Sequence, residues 1–66
     1  MDLKINREST IPIYLQISKG IRDLILNGLL PAGYRLPPER KLAEELQVNR
    51  STVLNAYREL KADGLV

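Results

Sequence analysis

From residue 12 onward the apolar positions fall into three helical rhythms separated by two breaks. Ile13, Ile17, Ile21, Leu24 and Ile25 recur at three- and four-residue spacing, the period of one buried helix face. Pro12 suits the first helical position, where its missing N–H is no loss. Asn27-Gly28 supplies the stop, so the spacing predicts a first helix from Pro12 to Asn27. The stretch from Gly28 to Pro38 is too dense in Gly and Pro for a helix. It reads as a connecting loop, with a short extended piece at Tyr34 to Leu36. Pro38 and Glu39 then open a second helix, proline in the first turn and a carboxylate at the positive end of the dipole. Leu42, Ala43 and Leu46 are its apolar side. Asn49 is a good N-cap by its side-chain oxygen, and Val53, Ala56, Tyr57 and Leu60 carry the helical period to a stop near Asp63-Gly64. Leu3-Lys4-Ile5 alternates like a strand, and Leu65-Val66 begins a further segment.

The second and third helices, Pro38 to Leu46 and Arg50 to about Asp63, are joined by three residues, the connection of a helix-turn-helix. Leu42, Ala43, Leu46, Val48, Val53 and Ala56 let the two cross closely, with the small Ala43 at the contact. Such turns often carry glycine where this chain has Gln47, and a left-handed non-glycine residue costs about 1–2 kcal/mol. With Val53 set toward the core, about 100° per residue points Ser51, Asn55, Arg58 and Ala62 outward, Arg50 and Leu54 flanking them. Asn49-Arg50-Ser51-Thr52 is a run of hydrogen-bonding residues without an acid. A helix entering the major groove needs its first turns to offer donors to base edges and phosphates without repelling them. Arg50 also places a cation at the positive end of a helix dipole, disfavoured by about 0.3–1 kcal/mol unless an anion is near.

Each residue also has a plainer reading. Arg50 can reach back to Glu45, and Arg40 to Glu44, as surface ion pairs worth under about 1 kcal/mol. Asn49 can be a cap alone, Ser51 and Thr52 polar first-turn residues, and Tyr57 a packing residue whose hydroxyl reaches the rim. Glu44 and Glu45 diverge by about 100° on their helix and cannot share a substrate.

Length and composition narrow the function classes. At 66 residues the chain is one domain, residues 1–66. It has no cysteine and no histidine, which removes the thiolate and imidazole ligands of structural zinc sites and the commonest neutral-pH general base. No cofactor is expected in this chain, and nothing in it combines a nucleophile with a base. The longest charge-free stretch, Leu24 to Tyr34, is far short of the ~20 apolar residues of a membrane span. Asp2, Lys4, Arg7 and Glu8 interrupt any secretory signal, so a cytoplasmic location is expected. Ten Lys and Arg against eight Asp and Glu give a net charge of +2, a surplus that permits a nucleic-acid partner without demanding one.

The residues Pro12-Ile-Tyr-Leu-Gln-Ile17, Gly28-Leu-Leu-Pro-Ala-Gly33, Arg35-Leu-Pro-Pro-Glu-Arg40, Leu42-Ala43, Val48-Asn-Arg-Ser-Thr-Val53 and Gly64-Leu65 together resemble the N-terminal DNA-binding domain of the GntR family of bacterial transcription regulators. Pro-Ile-Tyr at 12–14 and Asn-Ala-Tyr at 55–57 are most similar to its YtrA-like and MocR-like branches. The resemblance implies an all-α chain, the three-helix core of a winged helix-turn-helix. The β-hairpin wing expected after Gly64-Leu65 and an effector domain beyond it are missing, as in a fragment or truncated chain. It implies a duplex DNA operator as partner, repressor or other regulatory activity, and a homodimer formed through a C-terminal region outside this chain. By the same resemblance DNA contacts fall on Arg40 and on Asn49, Arg50, Ser51 and Thr52, with Arg35 on the backbone. The outward face of the third helix adds Asn55 and Arg58. Pro38 replaces a serine common in the family, and Leu54 an arginine that contacts DNA in some members. The rival reading is a helical protein-interaction module of the same fold that does not bind DNA.

Overall fold

The computed structural model describes residues 3–31 and 33–65. Three helices carry the chain: α1 at Ile13–Leu26, α2 at Glu39–Leu46 and α3 at Arg50–Ala62. Both prolines sit one place earlier than predicted. Pro12 and Pro38 are N-cap residues, with ψ of 142° outside the helical range. Their carbonyls accept the first helical N–H groups, Gln16 N–H on Pro12 and Leu42 N–H on Pro38. A locked φ near −55° serves an N-cap as well as a first turn, and Glu39 thereby becomes the first residue of α2.

All three helices end in one hydrogen-bonding pattern, a pair of nested bonds that closes over a left-handed residue. After α1, Gly28 N–H donates to Ile25 O and Leu29 N–H to Leu24 O; after α3, Gly64 N–H donates to Lys61 O and Leu65 N–H to Leu60 O. Glycine carries the positive φ at both places, 77° and 72°. After α2 the same bonds run from Gln47 to Glu44 and from Val48 to Ala43. There the left-handed residue is Gln47, at φ 57° and ψ 49°, as the sequence predicted.

The core is the sum of the three apolar stripes: Ile17, Ile21 and Ile25 from α1, Leu42 and Ala43 from α2, and Val53, Ala56, Tyr57 and Leu60 from α3. α3 packs on both other helices and is the central element. Ile13, Leu46 and Val48 lie half-buried around this core. No helix among the described residues is long and apolar enough to cross a membrane.

Neither predicted extended piece is a strand among the described residues. Tyr34 to Leu36 has no partner strand beside it, and Gly33 N–H donates instead to Leu65 O at 3.4 Å. Val66, grouped with Leu65 in the sequence, lies outside the described residues. Leu3 and Ile5 belong to an arm laid along α1. Asn6 N–H donates to Gln16 Oε1 at 2.8 Å, and Gln16 Nε2 donates back to Asn6 O and Ile11 O at 3.0 and 2.8 Å. Leu3 reaches α1 at Gly20, where a Cβ would stand 3.0 Å from its Cδ2.

Candidate functional site

α2 and α3 hold the site between them. The short turn after Gln47 starts α3 from Asn49, whose backbone is extended at φ −68° and ψ 146°. Asn49 is at the N-cap position, but its side chain makes no capping hydrogen bond. This corrects the expected cap: the backbone O of Asn49 accepts from Thr52 N–H at 3.0 Å, and its exposed amide is left with both donor and acceptor for another molecule.

Arg50, Ser51, Asn55 and Arg58 are exposed along α3, Thr52 is half-buried, and Arg35 and Arg40 are exposed beside the helix. The first turn of α3 contains no acid. The ion pair of Arg50 is with Glu39, Nε to Oε1 at 3.5 Å, rather than with Glu45. The helix crossing brings the first residues of α2 and α3 together, so the partner is the carboxylate at the start of α2 rather than the one near its end. Arg50 remains 70% exposed, and a pair so solvated is worth under about 1 kcal/mol. Arg40 has no ion pair among the described residues, so the one-turn pairing with Glu44 is not formed.

Two grooves flank α3. One, of about 540 Å³, runs between the loop at Gly33 to Leu36 and the helix face of Leu54, Tyr57, Arg58 and Lys61, with Glu39 at its edge. It brings Arg35 and Arg58 to one place and adds Lys61. The other, about 330 Å³, is lined by Arg7, Ile13, Gln47, Val48, Asn49 and Thr52. Arg40, Arg50, Ser51 and Asn55 line neither and are exposed.

Tyr57 ties this arrangement to the loop. Its ring is buried in the core, and its hydroxyl donates to Pro37 O at 2.7 Å, the packing residue with a rim-reaching hydroxyl that the sequence predicted. Burial, together with the negative charge of Glu39, pushes its pKa up to about 12, so the phenol keeps its proton and the hydrogen bond persists.

Arg7 is the residue the sequence reading missed. Its Nη2 donates to Leu46 O at 2.9 Å and to Gln47 O at 3.0 Å, across 39 and 40 residues of chain. A cation on the last carbonyls of a helix is a familiar complement to the dipole, but no periodic signal connects position 7 to position 47.

Residues 13–66 match the GntR family, described as bacterial regulatory proteins, gntR family. YdfD of Bacillus subtilis (strain 168), an uncharacterized HTH-type transcriptional regulator, is 50% identical over 56 residues, 85% of this chain and 12% of that protein. MocR of Rhizobium meliloti, a probable rhizopine catabolism regulatory protein, is 42% identical over 62 residues, 94% of this chain and 13% of that protein. The chain thus spans a small part of the length of these relatives. Among solved structures, YtrA from Sulfolobus acidocaldarius, a GntR-family transcription factor, superposes with a TM-score of 0.89 at 47% identity, covering 94% of this chain and 66% of that one. By the extent of these matches, and by three helices whose second and third form a helix-turn-helix, the chain belongs to the GntR family of bacterial regulatory proteins.

Proposed function

We propose that this chain is the DNA-binding domain of a bacterial transcription regulator and that it lays α3 in the major groove of a duplex operator. The observation that carries this reading is the acid-free start of α3, Asn49 to Thr52, with an uncommitted Asn49 amide and a solvated Arg50 guanidinium. Arg50 reads a base edge, preferentially a guanine, whose two acceptors match a guanidinium. Asn49, Ser51, Thr52 and Asn55 complete the polar surface in the groove. Arg35, Arg40 and Arg58 contact phosphates and fix the register of the helix. The Glu39 carboxylate holds Arg50 until a better anion replaces it.

The reading includes no catalysis and no cofactor. In this reading its work is at the bacterial chromosome, in the cytoplasm, which relatives called transcriptional regulators support. Two copies on half-sites a whole number of helical turns apart would form the operator complex, as a homodimer whose contacts lie outside the residues described. Fluorescence anisotropy with a labelled random-sequence duplex at low salt tests the central claim. Binding that weakens as salt rises is expected; no binding at low salt would favour the protein-interaction module instead.

A further inference from the structure

The three helix ends share one bonding pattern, but only two are closed by glycine. At the third, Gln47 holds φ 57°, a conformation that strains a side-chain-bearing residue and persists only where its surroundings enforce it. This strained residue lies in the turn between α2 and α3, the element that fixes how α3 projects. What surrounds it is Arg7. The guanidinium bridges Leu46 O and Gln47 O, the carbonyl before the left-handed residue and the carbonyl of that residue itself. The arm that delivers Arg7 is anchored on α1 by the reciprocal Asn6 and Gln16 bonds and by Leu3 against Gly20. Glu8 N–H donates to Asn6 Oδ1, and Ile11 N–H donates to Ser9 Oγ, which turns the chain at Arg7 and again just after it. α1, the arm and the turn are thus joined by side-chain bonds at the point where the backbone is strained.

We propose that Arg7 is a positioning residue: through Leu46 O and Gln47 O it locks the left-handed turn and thereby sets the pose of α3 on DNA. This rests on the DNA-binding reading given above. Because Arg7 lines the same groove as Asn49 and Thr52, a direct phosphate contact is the competing role, and the two leave different signatures. A phosphate contact contributes to counterion release, whereas a lock does not. Strain also makes the lock dispensable once the strain is removed. Glycine at 47 takes a positive φ at little cost, so Gln47→Gly relieves the need for Arg7.

The test compares wild type, Arg7→Met, Gln47→Gly and the double variant, with a labelled random-sequence duplex in a low-salt series. Arg7→Met is expected to weaken binding about tenfold, the factor that 1.4 kcal/mol represents at 25 °C, with the slope of log affinity against log salt unchanged. Adding Gln47→Gly should restore most of that loss. Amide hydrogen exchange without DNA should quicken in Arg7→Met at Gln47 and Val48, whose N–H groups close the end of α2, while the core amides of Ile21 and Leu60 keep wild-type rates. A slope shallower by about one unit would make Arg7 a phosphate contact and overturn the lock. Unchanged exchange at Gln47 and Val48, or a double variant no better than Arg7→Met, would overturn it equally. If the wild type binds no duplex even at low salt, the DNA-binding reading fails, and the exchange rates still decide whether Arg7 holds the turn.

Discussion

Arg50 stands at the start of α3 against two opposing demands. The helix dipole disfavours a cation there by about 0.3–1 kcal/mol, and Glu39 at 3.5 Å offsets this by a pair worth under about 1 kcal/mol because the guanidinium is largely solvated. A bidentate base contact is worth about 1–3 kcal/mol of discrimination, enough to draw the guanidinium away from Glu39. In the intact regulator, Arg50→Ala is therefore expected to cost about 1–3 kcal/mol and to relax preference at one operator position. Arg35→Ala should weaken all sequences alike and flatten the salt slope by about one unit. Binding of a selected and a scrambled duplex at several salt concentrations separates them; equal losses on both duplexes for Arg50→Ala would remove its base-reading role. Tyr57 gives a prediction of stability. Below pH 10 its phenol is protonated folded or unfolded; between pH 10 and about 12 the unfolded chain releases the proton and the folded one keeps it. The contribution of Tyr57 is thus fully present below pH 10 and is lost as pH rises through that window. Tyr57→Phe should cost about 0.5–1.5 kcal/mol near neutral pH, the usual worth of the bond to Pro37, and should remove that part of the alkaline fall. Chemical denaturation of both proteins from pH 8 to 12 measures the difference.

At the scale of elements, the α2 and α3 crossing depends on a small side chain. Ala43 is 5% exposed and belongs to the core that joins the two helices. Ala43→Leu should overpack the contact by about 1–3 kcal/mol, and a thermal midpoint several degrees lower is expected; an unchanged or higher midpoint would show that the crossing has room there. The helices themselves were legible because each has what a sequence can announce: a stripe at the helical period, a proline (α1 and α2) or a cap-type asparagine (α3) at the start, and a stop. Of the stripes read for α1 and α3, Ile17, Ile21, Ile25, Val53, Ala56, Tyr57 and Leu60 are buried, while Ile13 and Leu24 are half-buried. The N-terminal arm was not legible, because side-chain bonds to distant backbone specify it, Asn6 to Gln16 and Arg7 to Gln47, and no periodicity encodes these. The partner of Arg50 escaped for the same reason. Sequence spacing nominates Glu45 on the preceding helix, whereas the crossing angle brings up Glu39. Asn49 was read as a cap by residue type, and only the rotamer in the folded chain shows that its side chain does not bond the helix.

For the molecule as a whole, the distribution of charge matters more than the sum. A net charge of +2 would give little attraction to DNA if the cations were evenly spread, but Arg35, Arg40, Arg50 and Arg58 are all exposed on or beside α3. Lys19 and Arg22 are instead engaged by Asp23 and Asp63. Four cations neutralise three or four phosphates at most, and each phosphate contributes about −0.9 to the slope of log affinity against log salt. The 66-residue chain by itself should therefore bind duplex DNA with a slope of roughly −3 and, at physiological salt, in the non-specific range of about 10⁻⁴ to 10⁻⁶ M. One helix contributes one set of base contacts, and a single copy has none of the gain that a second half-site brings by raising effective concentration. Monomeric, largely sequence-indifferent binding is the expected outcome, read by anisotropy over a salt series with sedimentation to give the mass. A slope near −3 would count the four arginines as the electrostatic footprint. Nanomolar and sequence-selective binding by this chain would mean that α3 and its flanking grooves make more contacts than these residues provide. A slope near zero would mean that the cations face something other than phosphate.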